Sequence, residues 1–251
     1  MSKEEFELIK SEVPLPQVEA IFNLTPMQKG MLYYKMLNED STEYVLLNSF
    51  YFKGNLQVEH LQGAIHLLMK KYEVLRMVFL YQKVSEPKQV VYKDMEPVVQ
   101  VMDLSSLDEE EQKKQVQLVK EREVKRGFQL ETEALLRVTL LTLNQDETII
   151  LLCTHHIIMD GWCTTLLFND IMKFYTKLSK GYSMEALTES VENDRASIAS
   201  YEEYVAWVEH QDHEEGLSYW ENLLQGYEEV VGIEPSEHPA ITSVPVDTLQ
   251  R

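Results

Sequence analysis

The sequence predicts an α/β protein. A sandwich of helices and a mixed sheet should span residues from about 20 to 180, followed by helices without a sheet of their own. Three observations predict it. In the first part of the chain, segments with helical apolar spacing alternate with short runs rich in β-branched and aromatic residues. Later, Asn144-Gln145-Asp146 separates two apolar runs and signals a hairpin, so an antiparallel pair joins the sheet. After about residue 182 the strand signal disappears.

The first clear element is LTPMQKGMLYYKML. Thr25 is a good N-cap, Pro26 suits the first turn, and Gln28 completes a capping box, so a helix should run to about Asn38. STEYVLLNSFYFKG reads as a strand closed by Gly54. Val58, Leu61, Ile65 and Leu68 have helical spacing. VLRMVFLY, KQVVYK and VVQVMDL read as strands. Ser106, with Glu109 three residues on, opens a long charged helix with a thin stripe at Val116, Val119, Glu123 and Val124. LLRVTLLTL and ETIILLCTHH form the hairpin. Gly161 opens an apolar helix that Gly181 closes as C′ residue. YSMEALTESVENDRAS is polar and reads as a linker, and two helices follow, one capped by Ser200 and one closed by Gly226. The tail at 234–251 has three prolines and no periodicity.

The 251 residues suffice for one large or two modest units, and 44% hydrophobic residues support a real core. A formal charge of -19 disfavours nucleic acid and anionic membranes as partners. Cys153 and Cys163 form no CxxC pair, and neither a signal peptide nor a membrane-length apolar run is evident. These features suggest a cytoplasmic protein.

CTHHIIMDGW, residues 153–162, is the stretch that asks for a function. Side chains alternate across a strand, so His155 and His156 should point to opposite faces. One histidine can pack inward while the other faces a cleft, and alternation alone does not say which. Diverging imidazoles without a third ligand nearby argue against a metal site. No GxSxG elbow and no Gly-rich phosphate loop occurs. Asp160 is suited to cap the helix beginning at Gly161. It could instead be buried and paired with a cation, for which Arg76, inside an apolar run, is the best candidate.

HHIIMDG resembles the HHxxxDG signature of the condensation domains of nonribosomal peptide synthetases, in the chloramphenicol acetyltransferase-like superfamily. Other stretches match in order. LTPMQKGMLYY at 24–34 resembles the family's first motif, and KYEVLRMVF at 71–79 its second. GFQLETEALLRVTLL resembles the stretch before the histidines, and YEEYVAWVEHQ and YWENLLQGYE the segment after them. Lys71-Tyr72 stands where the family usually has Arg-His, and Met77 where it has Thr. Trp162 resembles the subtype that joins two L-amino acids.

The resemblance implies a chloramphenicol acetyltransferase-like two-layer α/β sandwich with a mixed sheet. It divides the chain into an N-terminal extension at 1–19 and an N-terminal lobe at 20–182. A linker and the opening helices of a truncated C-terminal lobe would occupy 183–251. The implied activity is amide formation between donor and acceptor thioesters on the phosphopantetheine arms of peptidyl carrier domains, as in antibiotic biosynthesis. The carriers, the missing C-terminal lobe and downstream synthetase domains are the implied partners, and the chain itself binds no cofactor or metal. By the same resemblance His156 faces the tunnel and orients or deprotonates the amine, and His155 is structural. Asp160 pairs with Arg76, and the Gly161 N–H stabilises the oxyanion. Met159, Trp162, Met31, Tyr33 and Tyr34 are read as packing residues. A coenzyme A-dependent acyltransferase of the same superfamily and a catalytically inactive carrier-binding lobe are the alternatives.

Overall fold

A computed structural model describes residues 3–38, 40–195 and 197–228. Two sheets carry the chain. The first is antiparallel in the order β1-β4-β3, built from β1 (Val18–Asn23), β3 (Met77–Leu80) and β4 (Lys88–Tyr92). The second, in the order β2-β7-β6-β5, is the mixed sheet expected from the sequence. It comprises β2 (Val45–Lys53), β5 (Val98–Asp103), β6 (Leu136–Thr142) and β7 (Glu147–His155). β6 and β7 form the foreseen antiparallel hairpin, while β5 and β6 are parallel and joined through α4 (Glu109–Arg126).

Local chemistry explains most elements. α2 (Pro26–Leu37) starts with the full capping box of Thr25 and Gln28. α3 (Val58–Lys71) buries Leu61, Ile65 and Leu68 of the expected stripe and half-buries Val58, and Ala64, Leu67 and Met69 widen the buried face. α5 (Gly161–Ser179) stops before Gly181, whose φ of +87° suits glycine. At Gly63 a Cβ would come within 2.9 Å of Leu178 Cδ1 and 3.1 Å of Met184 Sδ, so glycine lets neighbouring elements approach α3 closely.

Several expectations need correction. The polar stretch read as a linker folds into α6 (Met184–Arg195), which packs on α3 through buried Leu187 and Val191. Two apolar residues four apart suffice because the remaining face is solvated. β1 was not foreseen, nor was α1 (Lys3–Glu12), whose Ile9 packs with Val13 against Val78, Leu80 and Val90. Residues Glu73–Arg76 wind into a 3-10 turn, so VLRMVFLY is extended only from Met77. Asp108, not Ser106, caps α4 by accepting from Glu111 N–H at 2.9 Å. Ser200 caps α7 (Tyr201–Glu209) as expected. One compact unit runs to His210, and a second begins at Gln211. Within the second, Asp212 caps α8 (His213–Leu224), which exposes Leu217, Trp220, Leu223 and Leu224. The proline-bearing tail at 234–251 lies outside the described residues. Among the described residues, no helix is long and apolar enough to cross a membrane.

A buried ion pair crosses the second sheet's core. Arg137 on β6 donates to Glu123 Oε2 at 3.0 Å, to the Gly127 carbonyl at 2.7 Å and to the Glu123 carbonyl at 2.9 Å. Both residues are almost fully buried. The guanidinium lies 4.0 Å from the centre of the Phe128 ring. Arg137→Met should therefore cost about 3–5 kcal/mol, because it leaves a buried carboxylate with only the half-exposed Arg122, at 3.5 Å, and removes the guanidinium donors to two carbonyls. Urea unfolding checks this, and adding Glu123→Leu should recover a large part of the loss.

Candidate active site

β7 is an interior strand, paired with β2 on one side and β6 on the other. Eight of its nine residues, Thr148 to His155, are buried. Its alternate residues serve two cores: Ile150 and Leu152 join the main cluster with α3 and α5, whereas Ile149 and Leu151 pack with Val116 and Val119 of α4. The strand ends at His155, opposite Val45 of β2. A turn at 156–158 and an irregular link at 159–160 then lead into α5.

The two histidines differ in their surroundings, and strand alternation does not reach the second, because β7 ends at His155 and His156 begins a turn. His155 is buried, its ring against Tyr44 and Phe128 at centroid distances of 6.2 and 6.3 Å. Its Nδ1 accepts a hydrogen bond from Ile157 N–H at 3.1 Å, which requires an unprotonated Nδ1. Burial first, then Lys35 and His156, push this imidazole from 6.5 down to about 4. His155 is thus a neutral acceptor that shapes the turn. His156 is half-buried. Its N–H donates to the Tyr44 carbonyl at 2.8 Å, which extends the β2–β7 ladder by one bond. Its Nδ1 is buried without a hydrogen-bond partner among the described residues.

Asp160 is an exposed N-cap, not a buried partner of Arg76. Its Oδ1 accepts from Trp162 N–H at 3.0 Å and Cys163 N–H at 3.2 Å. The Cys163 thiol, then the backbone bonds, outweigh burial and hold the carboxyl below its ordinary range. Arg76 is fully buried elsewhere, at the end of the 3-10 turn. It donates to the Met69 carbonyl at 2.9 Å, to Glu19 Oε2 at 2.7 Å and to the Tyr92 carbonyl. Glu19 also accepts from Arg195 of α6 at 2.6 Å. Burial raises the Glu19 carboxyl, but the guanidiniums of Arg76 and Arg195 prevail and lower it. Capping uses the Asp160 carboxylate locally, and a nearer carboxylate from the first sheet claims the guanidinium. Glu19 carried no sequence signal, since β1 itself was missed.

Gly161 is exposed at the first position of α5, and a Cβ there would meet nothing within 4 Å. The fold does not itself require glycine at this position. The helix N-terminus carries backbone N–H groups without intrahelical acceptors and a partial positive charge. Met159 packs into the core, but Trp162 is 87% exposed and is not a core residue. Met31 packs partly on the core, whereas Tyr33 and Tyr34 are exposed, contrary to the packing expectation. Lys71 and Tyr72, the departures from the family pattern, both bond Asp170 of α5, at 2.6 and 2.7 Å, and tie α5 to the end of α3. Among the described residues no group of three or more His, Cys, Asp or Glu could hold a metal ion.

The lowered His155 gives a pH signature. The unfolded chain binds a proton near 6.5 and the folded chain only near 4, so the stability due to neutral His155 is complete above 6.5. It is lost as pH falls from 6.5 towards 4, by up to about 3 kcal/mol. His155→Asn should flatten this part of the curve, measured as the difference between the two proteins' urea midpoints across that window.

A family model described as Condensation domain matches residues 18–250. Gramicidin S synthase 2 of Brevibacillus brevis is 30% identical over 233 residues, which cover 93% of this chain and 5% of that protein. Tyrocidine synthase 2 of Brevibacillus parabrevis is 32% identical over 213 residues, or 85% of this chain and 6% of that protein. The solved starter condensation domain of rhizomide synthetase aligns with a TM-score of 0.65 at 17% identity, covering 84% of this chain and 49% of that one. The first condensation domain of the CDA synthetase gives 0.62 at 20% identity, covering 83% and 51%. The chain therefore spans about half the length of these solved domains and about 5% of gramicidin S synthase 2. With the fold, the HHxxxDG turn and this family match in agreement, the chain belongs to the condensation-domain family and has the chloramphenicol acetyltransferase-like α/β fold.

Proposed function

We propose that the chain supplies the histidine-bearing part of a site that joins donor and acceptor thioesters through an amide bond. The observation that carries this reading is the turn itself. It sets a half-buried, uncapped imidazole, His156, a few residues before a helix N-terminus whose first residue, Gly161, faces open space. In the reaction the acceptor's α-amine attacks the donor carbonyl, a C–N bond forms and the C–S bond breaks. The amine proton passes to the departing thiolate. In this reading His156 orients the amine and can take its proton, and the Gly161 N–H, at the positive end of α5, is the donor assigned to the developing oxyanion. A thioester is already activated, so positioning accounts for much of the rate.

The substrates ride on the phosphopantetheine arms of donor and acceptor carrier domains, the partners this reading requires. A further lobe of the condensation fold and downstream synthetase domains belong to the same assembly. The synthase relatives support this chemistry over transfer from coenzyme A.

The test mixes the 251-residue chain with one carrier bearing a donor and one bearing an acceptor. Intact-protein mass spectrometry should find the acceptor carrier heavier by the donor acyl group. His156→Ala should remove that product while the thermal midpoint stays within about 2 °C, because the His156 Nδ1 has no hydrogen-bond partner among the described residues. A product rate untouched by the substitution would sink the role of His156, and no product from the native chain would sink the reading for this chain. Turnover with an acyl-coenzyme A in place of the donor carrier would favour the transferase.

A further inference from the structure

The carbonyl of Ile157, one residue beyond His156, lies inside the protein, and Ile157 itself is 3% exposed. A buried carbonyl in a turn needs a donor that secondary structure does not supply. Here the donor is a side chain from far away in sequence: Gln28 Nε2, at 3.2 Å. Gln28 is equally buried, at 3%. Its carboxamide has no freedom to turn over. The Oε1 accepts from Thr25 N–H at 2.9 Å, and the second Nε2 hydrogen goes to Gln89 Oε1 at 3.1 Å. Gln89 in turn donates to the Asn23 carbonyl at 2.7 Å. The amide orientation is therefore set by the network. A chain of buried hydrogen bonds runs from the end of β1 through β4 and the first turn of α2 to the histidine turn.

We propose that Gln28 is a positioning residue for His156, holding the turn in the geometry that the reaction uses. The peptides on either side of His156 are already tied, one through its own N–H to Tyr44 and the next through Ile157 N–H to His155. The third peptide, which leads towards Asp160 and the α5 N-terminus, bonds the His155 carbonyl through its Ile158 N–H at 3.3 Å, and Gln28 adds the only tie from outside the turn, at its carbonyl, among the described residues. Without it, the turn keeps its strand-side bonds and gains freedom on the helix side. The spacing between the imidazole and the Gly161 N–H then varies. The capping box accounts for the glutamine Oε1 only. The Nε2 contact is a separate role that glutamate, the other common residue of a capping box, cannot fill when ionised.

This inference rests on the proposed reaction only for its catalytic consequence; the loop contact is testable alone. Three single variants of the whole chain separate the roles. Gln28→Met removes the carboxamide at similar volume. Thr25→Ala breaks the other half of the capping box and leaves Ile157 bonded. Gln28→Glu keeps an acceptor for Thr25 N–H and loses the donor on ionisation. Hydrogen exchange of the 156–161 segment should rise roughly tenfold in Gln28→Met relative to Thr25→Ala at matched global stability. In the two-carrier assay kcat should fall roughly tenfold with KM nearly unchanged, since geometry and not binding is lost. Gln28→Glu should be active at low pH and lose activity as its acid ionises, on top of the native profile. Equal exchange in Gln28→Met and Thr25→Ala would overturn the contact's role. A loosened turn with native kcat would overturn its catalytic importance. If His156→Ala were also fully active, the reaction assignment would fail while the exchange result stood.

Discussion

One guanidinium organises the half of the molecule that carries the histidines. Arg137 enters the core from β6 and is surrounded by acceptors from α4: one carboxylate oxygen and two carbonyls at its C-terminal end. A charge with almost no access to water tolerates only a small set of arrangements, because losing one partner leaves the rest uncompensated. It therefore fixes where α4 ends against β6. It also places Phe128, just past the helix end, so that the ring stacks on the guanidinium and meets His155 edge-on. On the neighbouring strand Cys153 lies opposite Arg137, and burial pushes its thiol up to about 11 in spite of the nearby cation. The packing around His155 follows from that pair.

The neutral state of His155 is the next link. Burial and nearby positive charge keep it unprotonated, and only so can its Nδ1 accept the Ile157 N–H. The first histidine is thus a backbone acceptor built from a side chain, and the second projects from the turn that the first defines. The two adjacent histidines meet different surroundings because the strand carries His155 into the core and ends before His156.

The first sheet contributes through polar groups. Arg76 and Glu19 join the 3-10 turn to β1, and Arg195 extends the bridge to α6. Gln89 and Gln28 reach from β4 and α2 to the histidine turn. The Asp160 carboxylate expected to seek Arg76 is satisfied by the Trp162 and Cys163 N–H groups in the first turn of its own helix. A carboxylate that can cap costs nothing in chain closure, whereas a distant ion pair requires both partners to be brought out of water.

Short-range chemistry was legible in the residues themselves. The capping box at Thr25 and Gln28, the stripe of α3, the hairpin at Asn144-Gln145-Asp146 and the glycine stop at Gly181 each depend on neighbours within a few positions, and all are in the structure. The HHxxxDG stretch was readable for the same reason. Tertiary structure alone decided the partners of Arg76, Arg137 and Gln28. A buried polar group must be satisfied, but the sequence does not say by which distant residue. It also decided that β1, α1 and α6 exist at all. Their apolar stripes are one or two residues wide, too narrow for a periodic signal. They are stable only because other elements are already there to cover them.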